Sequence, residues 1–269
     1  MKSAYLIPGV DNVEMPRVAV IGDDEVYTSN KKRYKAGTGF LGTVSAQAIS
    51  TLTIGLAAYW PANTLDGVDI ISGNIVNVIG GNAENQPGKI GNCWSPLVGG
   101  ASIQEVTDTI NIQFASSFTL ACWILYQTSP TPGNGFMSLF GGIVRGYGIS
   151  WSTASNYRFT IQSAISSKDI DLVGGVIVDG LWHRIVAYYD AIRQVIGIYK
   201  DNEVPVETST AGFSYAAPLI TDDLLLALLR NNIGNVVRID EIGMWNRVWT
   251  ASEKLEHWNN GAGLAYPFS

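Results

Sequence analysis

From about Thr53 onward the chain is a succession of short apolar or alternating runs, each closed by a cluster of turn-forming residues. The runs are Gly55 to Trp60, Val68 to Ile79, Ser117 to Tyr126, Gly148 to Trp151, Tyr157 to Ser163, Trp182 to Tyr189, Gln194 to Lys200, Leu224 to Arg230 and Val236 to Trp245. Between them stand Gly73-Asn74, Gly80-Gly81-Asn82, Pro132-Gly133-Asn134-Gly135, Asp179-Gly180 and Asp201-Asn202, residues that accept the backbone angles of tight turns. Many short strands punctuated in this way predict an all-β sandwich or barrel. The composition agrees: 46% of residues are apolar and only 15% charged, against about 25% charged in an average soluble chain.

Individual runs carry more detail. Phe118 to Tyr126 is apolar on both of its alternating faces, which predicts a central strand covered on both sides. Ile192 to Lys200 alternates and ends at Asp201-Asn202, a pair suited to a hairpin. Only the C-terminus reads as helix. Thr250-Ala251-Ser252-Glu253 matches a capping box, Leu255 and Trp258 fall on one face, and Gly261 is a natural stop. His257 is expected on an exposed turn of that helix. The first fifty residues lack this order. Val18 to Ile21 and Glu25 to Thr28 suggest one hairpin across Gly22-Asp23-Asp24, in a segment too small to bury a core of its own.

Charge follows the same boundary. Residues 1 to 50 carry six Lys or Arg and five Asp or Glu; residues 51 to 269 carry eleven and eighteen. The larger part is acidic, which argues against binding to a nucleic-acid backbone. The basic run Lys31, Lys32, Arg33, Lys35 reads as a solvated turn between strands, or as a contact to an acidic partner. Cys93 and Cys122 make neither a disulfide framework nor a metal-ligand pattern and read as buried small hydrophobes. The first eleven residues hold no apolar run of signal-peptide length. Ala36 to Leu65 is free of charge but contains too many Thr, Ser, Gln and Gly residues for a membrane span.

The most specific stretch is Asp179-Gly180-Leu181-Trp182-His183-Arg184-Ile185-Val186-Ala187-Tyr188-Tyr189-Asp190, followed by Val195-Ile196-Gly197-Ile198-Tyr199-Lys200-Asp201-Asn202. It resembles the central signature of laminin-G-like jelly rolls of the concanavalin A-like lectin and glucanase class, with Asn202 where the family pattern has Gly. Gly55 to Pro61, Gly91 to Trp94, Ser117 to Trp123, and Ile239 to Arg247 followed by the capping box fall in the order that resemblance requires. It covers roughly residues 53 to 268. The implied fold is a two-sheet antiparallel jelly-roll sandwich over residues 53 to 269, with a short C-terminal helix. Residues 1 to 52 form an N-terminal extension.

Candidate site residues come partly from this resemblance. His183 is read as a strand residue whose ring bonds a neighbouring carbonyl, because no Ser or Cys nucleophile accompanies it. Asp240 and Glu241 are adjacent, so on a regular strand they face opposite ways and fail the paired-carboxyl requirement of a glycosidase. Asp169 and Asp171 have suitable spacing but read as a charged edge. Laminin-G-like domains often hold a calcium ion, so a structural calcium is expected from Asp240 with Asp66 or Asp69; the competing fate of Asp240 is a salt bridge, as with Arg238. No cofactor is required. Sugar stacking on exposed rings is expected at Trp151, Tyr157, Tyr147 and Tyr215, beside Asn156.

The function expected from these features is recognition or assembly without catalysis. A laminin-G-like module with few cysteines and no secretion signal suits a bacteriophage virion protein: a fibre, decoration or receptor-binding module that binds cell-surface glycan. Residues 1 to 52 would be the attachment arm to capsid or tail proteins. A homo-oligomer or larger assembly is expected. The alternatives are a decoration protein that binds no glycan, an extracellular or cell-surface location, and, ranked last, a divergent glycosidase.

Overall fold

The structure, a computed structural model, describes residues 19–20, 25–27, 33–35, 50–64, 67–79, 83–96, 103–107, 109–129, 135–140, 145–226 and 237–268. The chain divides into two compact units, 1–48 and 49–269. In the first, β1 (Ala19–Val20), β2 (Glu25–Tyr27) and β3 (Arg33–Lys35) form an antiparallel sheet in that order. The expected hairpin is present, with Val20 opposite Val26, and β3 adds a strand that the sequence did not suggest. Arg33 and Lys35 are therefore strand residues; Lys31 and Lys32 lie outside the described residues.

The second unit contains β4 (Leu56–Trp60), β5 (Asn77–Ile79), β6 (Ala83–Pro87), β7 (Asn92–Pro96), β8 (Ile103–Val106), β9 (Phe118–Tyr126), β10 (Gly135–Phe140), β11 (Gly146–Thr153), β12 (Asn156–Gln162), β13 (Ser167–Leu172), β14 (Trp182–Asp190), β15 (Val195–Lys200), β16 (Val206–Ser209), β17 (Leu224–Leu226), β18 (Val237–Trp245) and the helix α1 (Ala251–Trp258). One sheet runs β13-β12-β11-β10-β17-β8-β5. The other runs β16-β15-β14-β9-β18-β7-β6, with β4 beside the second half of β18. All pairs are antiparallel. No helix among the described residues is long and apolar enough to cross a membrane.

The sheets face each other across one large core. Phe118, Leu120, Cys122, Ile124 and Tyr126 of β9 meet Tyr147, Ile149, Trp151, Tyr157, Phe159 and Ile161 of β11 and β12. Each such side chain contributes about 1.5–3 kcal/mol by leaving water. The outer face of the second sheet has a further apolar layer, in which Leu52, Tyr59, Val186, Tyr188, Tyr199, Trp245, Trp249 and Phe268 cluster beneath the C-terminal segment. All nine residues of β9 are buried because both of its faces are covered. The unit begins at Ile49 rather than Thr53, since Leu52 belongs to this outer layer and its carbonyl accepts from Trp245 Nε1 at 2.6 Å.

Two local departures from regular geometry bear on the site. Against β9, the register of β18 slips between Asp240 and Gly243, and Glu241 takes the left-handed conformation with φ +48°. This bulge removes the strict alternation that would send Asp240 and Glu241 to opposite faces. The helix also departs from expectation. Its capping box forms between Thr250 and Glu253, but the face it buries is Glu253 and His257, while Leu255 is 55% exposed. Glu253 is drawn inward by Arg247 and Thr51, and His257 comes one turn later on the same side.

Candidate functional site

β14 and β15 alternate between two environments. Ile185, Ala187, Ile196 and Ile198 point to the intersheet core, whereas Val186, Tyr188 and Tyr199 belong to the outer layer. Opposite Tyr188 in the ladder stands Gly197. A Cβ there would lie 2.4 Å from Tyr188 Cζ, so the glycine makes room for the ring to lie across the sheet. Beside these rings, between the sheet and the start of α1, opens a cleft of about 270 Å³. Its apolar part comes from Val186, Pro205, Val248 and the rings of Tyr188, Tyr199 and Trp249. Its polar part comes from Thr119, Arg193, Glu207, Thr250 and Lys254.

The polar groups are positioned by one another. Arg193 forks onto Glu207, at 2.9 Å to Oε1 and 2.6 Å to Oε2, and the Tyr188 hydroxyl donates to the same carboxylate. The hydrogen bond from Arg193 holds the Glu207 carboxyl below its ordinary range, against the upward push of burial. Lys254 donates to the carbonyl of Glu203 and lies 4.3 Å from the Tyr199 ring centroid. Burial, reinforced by repulsion from Arg184, lowers its pKa.

Behind Tyr199 lies Arg184, fully buried. It donates to the carbonyls of Lys254 and Asp201, and its guanidinium packs 5.3 Å from Trp258 and 5.8 Å from Tyr199. Burial lowers its pKa to about 10. His257 sits 3.4 Å from Arg184 Nη1, enclosed by Trp245, Trp249 and Phe268. Burial and the neighbouring cation hold it well below the ordinary imidazole value. The expected exposed position of His257 is thus corrected. His183 bonds carboxylates rather than a carbonyl: Nδ1 is 2.8 Å from Asp201 and Nε2 is 3.3 Å from Asp179. The Asp201 hydrogen bond is the main cause of its raised pKa.

The expected calcium ligands are engaged elsewhere. Asp240 accepts from the backbone N–H of Lys89 and Ile90 through Oδ2, at 2.7 and 3.0 Å, and from Glu241 N through Oδ1 at 2.9 Å. Asp69 accepts from Tyr59 N and Ile71 N at 2.8 and 2.9 Å, and from the Ser72 hydroxyl. Both carboxylates close turns against the sheet. Asp66 lies outside the described residues. No group of three or more metal-ligating side chains gathers among the described residues. Nor does Asp240 pair with Arg238, whose Nη1 faces the Pro87 carbonyl at 3.4 Å. Burial and then Glu241 push Asp240 up to about 8, while burial pushes Glu241 up to about 7. Tyr59 donates to Glu241 from the outer layer.

The expected stacking surface is also corrected. Tyr147, Trp151 and Tyr157 are buried in the intersheet core. Tyr147 donates to the Ile112 carbonyl at 2.8 Å, and Trp151 Nε1 to the Tyr126 hydroxyl at 2.6 Å. Their rings point inward because they share the alternating face that carries Ile149, Phe159 and Ile161. Tyr215 packs against Tyr189 and Phe118, and Asn156 accepts from Gly174 N as a loop clasp. Asp171 takes a fork from Arg158 at 2.7 and 3.0 Å on the edge strand β13. Sequence reasoning missed Arg193, Glu207, Trp249 and Lys254. The one local hint was Gly197 in an apolar strand, a position that often marks close approach of another group.

A family model described as the Concanavalin A-like lectin/glucanases superfamily matches residues 99–253. That is more than half of the sequence, and the chain belongs to this superfamily as a laminin-G-like member. No curated protein matches it in sequence. Among solved structures it is similar to the binding domain of Paraclostridial Mosquitocidal Protein 1, with TM-score 0.61 and 16% identity over 77% of this chain and 52% of that one. It is also similar to the binding domain of botulinum neurotoxin DC in complex with SialylT, with TM-score 0.59, 13% identity and coverage of 77% and 52%. The same toxin domain in complex with rat synaptotagmin II gives TM-score 0.59 and 12% identity, over 77% and 51%. The chain spans about half the length of these structures, and at such identities the likeness is one of fold.

Proposed function

We propose that the sandwich is a non-enzymatic carbohydrate-recognition module whose sugar site is the cleft between α1 and β14 to β16. The observation that carries this is the composition of the cleft. The Tyr188, Tyr199 and Trp249 rings, 6%, 3% and 9% exposed, show only their edges to the cleft, beside hydrogen-bonding groups at Arg193, Glu207, Thr250 and Lys254; this is the mixture of apolar area and oriented polar atoms that sugar rings require. Glu207 is the one carboxylate among the described lining residues, and it is held by Arg193 and Tyr188. Glycoside hydrolysis needs two carboxyl groups facing one bond. The superfamily includes lectins, and one structurally similar binding domain is in complex with SialylT.

We place this module on a bacteriophage particle, with the first unit as attachment arm and cell-surface glycan as the target. Two observations support that setting: 1–48 and 49–269 are separate compact units, and both cysteines are free and buried, as suits folding in a reducing compartment. A glycan array with the full chain, with calcium and again with chelator, tests the sugar reading. Silence in both conditions would overturn it and leave a decoration role. Deleting residues 1–48 should abolish incorporation into the particle and leave glycan binding intact; retained incorporation would refute the arm.

A further inference from the structure

We infer that the cleft selects saccharides that carry an acid group, with Lys254 Nζ as the anchor for that group. The inference rests on the cleft being the sugar site. Its ground is the unequal closure of charge around the opening. Arg193 is engaged by Glu207 through two short contacts and lies 3.9 Å from Asp190, so its charge is matched on that wall. Lys254, on the facing wall, has a backbone carbonyl and a ring face for company and no carboxylate within ion-pair distance among the described residues. The carboxylate of Glu203, whose carbonyl Lys254 bonds, is instead 3.4 Å from Lys200.

A second cation stands behind the first. The guanidinium of Arg184 is bonded to two carbonyl oxygens and packed between Tyr199 and Trp258. Among the described residues no carboxylate lies within ion-pair distance of that guanidinium; Asp201, whose attraction partly offsets the cost of burying it, accepts from the backbone N–H of Arg184 and meets His183. The field of Arg184 therefore reaches the cleft through Tyr199, across a poorly polarisable layer that screens it less than water would. Burial and then repulsion from Arg184 lower the pKa of Lys254, against the attraction of Glu203, and a bound anion would offset the repulsion. The cleft volume of about 270 Å³ falls just below the usual range of ligand sites, roughly 300 to 1,000 Å³. It suits one terminal sugar residue.

The test uses the full chain and four probes: methyl glucuronide, its methyl ester, methyl glucoside, and a 6-sulfated methyl glucoside, each titrated by NMR. Methyl glucuronide should bind about tenfold more tightly than the ester or the glucoside, the scale of one charge-assisted hydrogen bond. Lys254→Gln should abolish that preference by weakening methyl glucuronide far more than the neutral glucoside, and Lys254→Arg should retain it. Tight binding of the sulfated probe would support selection by charge. Equal binding of acid and ester by the native chain needs no variant to fold, and it would overturn the inference while the sugar site stands. A preference that survives in a folded Lys254→Gln variant would overturn it too, as would displacement of methyl glucuronide by an equal concentration of acetate. Failure of all four probes and of the glycan array would remove the sugar site itself.

Discussion

Glu253 joins two stretches that are remote in sequence, around Thr51 and around Arg247 to Thr250, and its replacement by Gln measures how much of the C-terminal cover it holds. One oxygen accepts from Thr51 Oγ1 at 2.6 Å and Arg247 Nη2 at 2.7 Å. The other accepts from Arg247 Nη1 at 2.7 Å and from Thr250 N at 2.8 Å. The side chain is 2% exposed. Burial alone would raise its pKa, but the bonds from Arg247, Thr51 and Thr250 win and hold it at about 2, against an ordinary 4.5. That difference corresponds to about 3 kcal/mol of stability at neutral pH. Because the folded value is depressed, the contribution is full above the unfolded value and is lost as pH falls towards 2. Glu253→Gln removes it and leaves Arg247 partly solvated, so urea unfolding at pH 7 should show a loss of about 2–3 kcal/mol. At pH 2 the native chain and the variant should nearly coincide. A loss below about 0.5 kcal/mol at pH 7, or one that stays the same at pH 2, would refute the reasoning.

The same geometry sets other outcomes. Asp240 and Glu241 have raised values, so their contribution is complete below ordinary carboxylate pKa values and is lost as pH rises through about 7 to 8. Glu241→Gln should therefore raise the melting temperature more at pH 8.5 than at pH 5; an equal shift at both would contradict the burial argument. The His183 contribution is present below the unfolded imidazole value and is lost as pH rises through the raised folded one. In an NMR titration, Asp201→Asn should lower the His183 pKa more than Asp179→Asn does, and equal effects would show that the 2.8 Å contact is not dominant. Trp151→Phe should cost about 1–3 kcal/mol through a lost hydrogen bond and a small cavity, with sugar binding unchanged. Trp249→Ala should weaken sugar binding, and the opposite pattern would return the site to β11.

The strands most legible in sequence were those whose neighbours are fixed by the pleat itself. Phe118 to Tyr126 and Trp182 to Asp190 sit side by side, with Ile185 opposite Cys122, as their apolar character and the family resemblance required. Edge strands were less legible. Ala83–Pro87 and Val206–Ser209 border the second sheet and Ser167–Leu172 borders the first; an edge has one hydrogen-bonded neighbour and needs no apolar pattern. The Thr250 to Glu253 cap was readable because its two partners are three residues apart.

The candidate site was not readable in the same way. Proximity to turns suggested that Trp151 and Tyr157 were exposed, yet the opposing sheet covers them; Tyr188 and Tyr199, in the most recognisable motif, line a cleft because the start of α1, with Lys254 over the Tyr199 ring, closes its other side. The same holds for carboxylates. Asp240 and Glu241 looked opposed on an ideal strand, and a bulge placed both in buried surroundings. By itself the sequence determined the all-β class, the strands with local alternation and the helix cap, since those depend on residues within a few positions. Only the tertiary structure decided which faces are covered and which charges meet. Burial and ion pairing depend on segments such as Thr51 and Glu253, which chain folding brings together across some two hundred residues.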